Sequence, residues 1–101
     1  MSITKKFLKS KPVCKVTFKL AKGQVNGAQT INVVGDFNEW DKEAAPMKKL
    51  KAGGFSTTLE LEQGKEYQFR YLIDGEKWVN DEEADKFSQS PFGAENCVIE
   101  L

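Results

Sequence analysis

A chain of 101 residues with 15 basic and 15 acidic side chains is one domain of ordinary size. Its zero formal charge argues against nucleic acid, whose phosphates call for a basic surplus. The absence of histidine excludes the Ser-His-Asp triad, the Cys-His pair and any zinc or iron site built on imidazole.

The first twelve residues form a basic extension in which Ile3 to Leu8 is the best candidate for a short helix. This segment lacks the apolar core of a secretory signal, and nothing after it is apolar enough to span a bilayer. Cys14 and Cys97 read as reduced, buried thiols of a cytoplasmic protein, since no dense disulfide framework is present. Residues 13–101 form one domain, and strand periodicity begins at once: Cys14, Val16, Phe18 and Leu20 share one face, while Lys15, Thr17 and Lys19 share the other. After a Gly/Asn-rich loop, Thr30 to Gly35 is short and β-branched. Gly53-Gly54 opens a strand over Phe55 to Leu61, and Gln63-Gly64-Lys65 turns the chain into Glu66 to Ile73. In that strand Tyr67, Phe69, Tyr71 and Ile73 point one way, and Gln68, Arg70 and Leu72 the other. Asp74-Gly75 is a hairpin signal leading into Lys77-Trp78-Val79, and the last strand covers Asn96 to Leu101. Six or seven short strands in such a chain describe an all-β, immunoglobulin-like sandwich.

Charge is unevenly spread. Residues 1–22 carry seven lysines and no acid, whereas residues 74–101 carry eight acids against Lys77 and Lys86. The two segments are expected to lie together and neutralise one another.

Catalysis finds little support. The acids Asp36, Glu39 and Asp41, and then Asp81, Glu82, Glu83 and Asp85, lie in turn-like sequence and read as solvated loops. A glycosidase needs two carboxylates held across a deep cleft. The Asp36 run departs from a calcium loop, no phosphate loop follows Gly53-Gly54, and no metal or cofactor is expected. The aromatics are more informative. Gly35-Asp36-Phe37-Asn38-Glu39-Trp40-Asp41 is a turn-rich stretch whose polar side chains can bond the backbone and fix the loop. Trp78 stands just past the Asp74-Gly75 turn, flanked by Lys77 and, two residues on, Asn80. Two indoles near turns suit a neutral sugar, whose faces stack on rings and whose edges carry hydroxyls. Stacking is worth about 2–3 kcal/mol per ring before ordering costs, so single-site affinity is expected to be weak.

Gly35 to Trp40, Phe69 to Trp78 and Ser90 to Asn96, taken in order, resemble carbohydrate-binding module family 48. That family comprises the early-set N-terminal domains of isoamylases and branching enzymes and the glycogen-binding domain of AMP-activated kinase β subunits. The resemblance runs from about Val13 to Leu101 and implies an early-set sandwich holding α-1,4-glucan, glycogen or starch, without catalysis of its own. Trp40 and Trp78 match the stacking tryptophans, and Asn96 matches an asparagine that bonds sugar hydroxyls. Arg70 stands where the family has a lysine, Phe92 replaces a leucine, and Ala94 replaces a threonine. The implied sugar-binding residues are Trp40, Arg70, Trp78, Phe92 and Asn96. The resemblance also admits an interaction module that docks on a separately encoded glycoside hydrolase or a kinase-like partner.

Overall fold

The computed structural model describes residues 2–25, 27–51, 53–89 and 95–101. In chain order its strands are β1 (Ser2–Phe7), β2 (Val13–Leu20), β3 (Ile31–Gly35), β4 (Lys48–Lys49), β5 (Phe55–Glu62), β6 (Glu66–Ile73), β7 (Lys77–Val79), β8 (Lys86–Gln89) and β9 (Glu95–Glu100). Short 3₁₀ turns occupy Lys22–Gln24 and Asp36–Asn38. Sheet A has the order β1-β2-β5-β4, and sheet B the order β3-β6-β9-β8, with β7 beside the second half of β6. The pairings are antiparallel, and the two sheets pack face to face as the expected sandwich.

Strict alternation builds the core. Cys14, Val16, Phe18 and Leu20 of β2 are all fully buried, while Lys15 and Lys19 between them are exposed. From sheet B, Phe69, Tyr71, Cys97 and Ile99 are equally buried. Phe18 is the node between the layers, with its ring centroid 5.1 Å from Phe69 and 6.2 Å from Tyr71, edge-on to both. Such edge-to-face pairs add about 0.5–1.5 kcal/mol each beyond the area they bury. Both cysteines are free and buried, one in each sheet. Burial pushes the Cys97 thiol up to about 11.

The hairpin at Asp74-Gly75 forms as expected, with both residues at positive φ (51° and 71°) and Glu76 N–H donating to the Ile73 carbonyl at 3.0 Å. Asp74 Oδ1 accepts the N–H groups of Gln29 and Thr30 at 2.8 and 2.9 Å, which holds its carboxyl below the usual range.

Three expectations need correction. The segment Ile3 to Leu8 is not helical. Ser2 to Phe7 runs antiparallel to β2, from Ser2↔Lys19 to Phe7↔Cys14, as an edge strand of sheet A. Six residues cannot offset the cost of nucleating a helix, and an open sheet edge supplies backbone partners at once. Asp81 is not solvated but fully buried. Tyr71 Oη donates to its Oδ2 at 2.6 Å and Glu83 N–H donates to its Oδ1 at 2.8 Å, so the carboxylate is paired where a bare one would be costly. The Tyr71 phenol is pushed up by burial first and by Asp81 second.

The expected neutralisation of the two ends is carried by a single lysine among the described residues. Lys5 bridges Asp85 and donates to the Glu100 carbonyl. Lys6, Lys15 and Lys19 instead alternate onto the outer face of sheet A, because a strand sends neighbouring side chains to opposite sides.

Burial raises the Asp85 carboxyl, but the Glu100 N–H and Lys5 lower it more, leaving it below its ordinary value. A depressed carboxyl stabilises the fold above its unfolded pKa, and that stability is lost as pH falls through the folded value. Asp85→Asn is therefore expected to cost about 1 kcal/mol at pH 7 and almost nothing in strong acid. Urea unfolding at a series of pH values measures the difference.

Candidate functional site

Because Phe69 and Tyr71 face inward, Gln68, Arg70 and Leu72 of β6 take the opposite face of sheet B, where Gln68 and Arg70 are half-buried and Leu72 is covered. The register brings Trp78 of β7 opposite Leu72 and Val34 of β3 opposite Arg70. Two residues past Trp78, Asn80 has the same outward parity, and Asn96 of β9 lies one residue before the Phe69↔Cys97 pair.

Trp40 reaches this face through a strained loop. Gly35 ends β3 where a Cβ would overlap the Gln68 carbonyl oxygen and the Phe69 side chain, so only glycine lets β3 lie this close to β6. The chain then makes one 3₁₀ turn, and Glu39 and Trp40 both take left-handed conformations (φ 57° and 59°). Those conformations cost on the order of 1 kcal/mol each for residues with a Cβ. Side chains hold the loop against that cost. Asn38 Oδ1 accepts Gly35 N–H at 3.1 Å while its Nδ2 donates to the Val33 carbonyl at 2.9 Å. Phe37 turns inward against Phe18 and Tyr67, with centroids 6.2 and 6.1 Å away. Trp40 stays half-buried.

Asp36 fixes the indole to the sheet. Its Oδ1 accepts Trp40 Nε1–H and its Oδ2 accepts the backbone N–H of Gln68, both at 2.9 Å. Gln68 lies just past the last β3–β6 pair, so the carboxylate serves a donor that the ladder leaves over. Gln68 Oε1 in turn accepts Asn96 Nδ2–H at 3.0 Å. Asn96 is only 8% exposed, and one of its two amide donors is committed to Gln68.

Arg70 is held from two sides. Its Nε donates to Asn80 Oδ1 at 3.0 Å, and its guanidinium carbon lies 5.5 Å from the centre of the Trp78 ring. Asn80 Nδ2 donates to the Glu95 carbonyl at 2.9 Å. Trp40 is anchored at the level of Gln68 and Trp78 at the level of Leu72. The two levels are about 13 Å apart along β6, with Arg70 between them.

Trp40, Arg70, Trp78 and Asn96 thus belong to one outer face, joined by Asp36, Gln68 and Asn80. Phe92 lies outside the described residues. Asp36, Gln68 and Asn80 were not among the expected site residues. Parity with Trp78 points to Asn80, whereas the bond from Asp36 spans 32 residues and leaves no local pattern. Elsewhere, a hollow of about 320 Å³ opens near the Asp74 turn beside Val25, Ala28 and Ile73, but the Asp74 carboxylate is already bonded to backbone there. Among the described residues no group of three or more His, Cys, Asp or Glu is placed to hold a metal, and no helix is long and apolar enough to cross a membrane.

A family model described as the glycogen recognition site of AMP-activated protein kinase matches residues 24–101. The chain belongs to that family. No curated protein matches it at a significant level. The glycogen-recognition family consists of non-catalytic carbohydrate-binding modules, and its match takes in all five strands of sheet B together with the Asp36–Trp40 loop.

Asp36→Ala removes the acceptor of two N–H groups at once. It is expected to lower stability by about 1–3 kcal/mol and to speed hydrogen exchange of the Trp40 indole N–H. NMR on the variant reads both, and unchanged indole exchange would show that Asp36 does not hold the ring.

Proposed function

We propose that the outer face of sheet B binds an α-1,4-glucan such as glycogen or starch without transforming it. Glucose rings stack on Trp40 and Trp78, and Arg70 and Asn96 bond hydroxyls between them. One of the two Asn96 Nδ2–H donors is taken by Gln68, so the other and Oδ1 are what it offers a hydroxyl. Phe92 supplies a further apolar contact in this reading. The observation that carries it is the pair of half-exposed indoles, one on each side of the outward Arg70, in a chain of the glycogen-recognition family.

Trp40, Arg70 and Trp78 are each half-exposed, which suits a polymer that passes over them. Ring stacking of about 2–3 kcal/mol per indole less the cost of ordering a flexible chain gives dissociation constants from tens of micromolar to millimolar. The two buried free thiols favour a reducing, cytoplasmic setting.

A second reading, docking on a separate glucan-metabolising enzyme or a kinase-like partner, draws support from sheet A. Its outer face carries exposed Lys6, Lys15 and Lys19; Lys15 faces Lys6 on one side and Glu60 on the other, which leaves a cationic surplus that suits an acidic partner surface. That face lies on the other side of the sandwich from the indoles, so both readings can hold together.

Affinity electrophoresis in gels containing glycogen tests the first reading. Wild type is expected to be retarded, each single tryptophan-to-alanine change to weaken binding at least about tenfold, and the Trp40→Ala, Trp78→Ala double variant to run as in a glycogen-free gel. A folded wild type that is not retarded at millimolar glucan units would overturn it.

A further inference from the structure

Among the described residues, Arg70 is a cation on this face without an anionic partner. At the far end of sheet B, Lys86 bridges Glu66 at 2.6 Å and Glu100 at 3.8 Å, so that cation is paired. Both oxygens of Asp36 are occupied by the Trp40 and Gln68 N–H groups. Among the described residues no carboxylate lies within ion-pair distance of Arg70, and its bond to protein is the one from Nε to neutral Asn80. The guanidinium therefore keeps its four Nη–H donors, in a planar fork whose orientation Asn80 and the Trp78 ring fix from two sides.

A hydroxyl asks for less than this. One donor satisfies a sugar oxygen, and a lysine supplies it. A fork held by its Nε, half-buried against an indole and lacking a counter-ion, matches the two oxygens of an anionic ester. Prior fixing of the side chain lowers the entropy lost when such a group binds. Partial burial reduces the solvent screening that weakens exposed ion pairs.

We infer that the site takes an α-glucan carrying a phosphate monoester, with two phosphate oxygens on the Nη groups of Arg70 and neighbouring glucose rings on the indoles. This rests on the glucan reading above and adds the ligand's charge. Trp40 and Trp78 hold the neutral chain, and Arg70 selects the position bearing the ester.

Calorimetric titration of the whole chain at low ionic strength separates the two readings, using maltoheptaose, maltoheptaose bearing one 6-phosphate, and inorganic phosphate as probes. The phosphorylated heptaose is expected to bind roughly tenfold tighter than the neutral one, and the ratio is expected to shrink as salt is raised. In Arg70→Gln that ratio falls to about one, and in Arg70→Lys it falls between the two, because charge remains and the fork is lost. Equal affinity for the two heptaoses on wild type overturns this inference and leaves the glucan reading intact. A preference that persists in Arg70→Gln also overturns it, because the charge is then read elsewhere. Binding of inorganic phosphate as tight as that of the phosphorylated heptaose, with neutral maltoheptaose silent, contradicts both readings, as does no binding of any probe.

Discussion

Phe18 of β2 meets Phe69 and Tyr71 of β6 edge-on, at 5.1 and 6.2 Å between ring centres, and in doing so locks sheet A to sheet B. The lock decides far more than stability. Side chains alternate along a strand, so burying Phe69 and Tyr71 in the core puts Gln68, Arg70 and a covered Leu72 on the opposite face of sheet B. A slip of one residue would carry Arg70 into the core and the aromatic rings into water. The register then puts Trp78 opposite Leu72, and the Asp36 bond to Gln68 N–H brings Trp40 to the same face. The candidate site is thus the outer side of the contact that makes the core.

What could be read in advance follows from that same periodicity. The alternation in Val13 to Leu20 and in Glu66 to Ile73 gives both strands, their inward faces and the outward Arg70 directly, and Asp74-Gly75 gives the hairpin that carries Trp78. Residues paired by distant backbone leave no such trace. β1 lacks a strong pattern of its own and is a strand because β2 offers it an edge. β8 has Phe87 facing inward at the sheet margin, yet 45% exposed, so apolar alternation does not mark it. Asp81 sits in an acidic run like any loop, and its burial follows only from Tyr71 and Cys97 closing around it. The site shows the same division: the two indoles and Arg70 stand out as residue types, whereas Asp36 and Asn80 matter through the partners they reach.

Strain is concentrated near the site. Two successive left-handed residues, Glu39 and Trp40, are tolerated because Gly35, Asn38 and Asp36 tie the loop to β3 and β6. The zero net charge conceals a cationic outer face on sheet A and, on sheet B, a guanidinium whose partners are an amide and a ring. A neutral glucan needs neither charge. In the proposed reading, the unpaired guanidinium is what distinguishes one glucan from another.

The central claim is one of place, and backbone and indole NMR during titration with maltoheptaose tests it most directly. The account predicts that the Trp40 and Trp78 indole N–H signals and the amides of Gln68 and Arg70 shift together and saturate with one dissociation constant, while β1 and β2 stay still. Shifts confined to sheet A, or to the hollow beside Val25 and Ala28, with both indoles unmoved would contradict it.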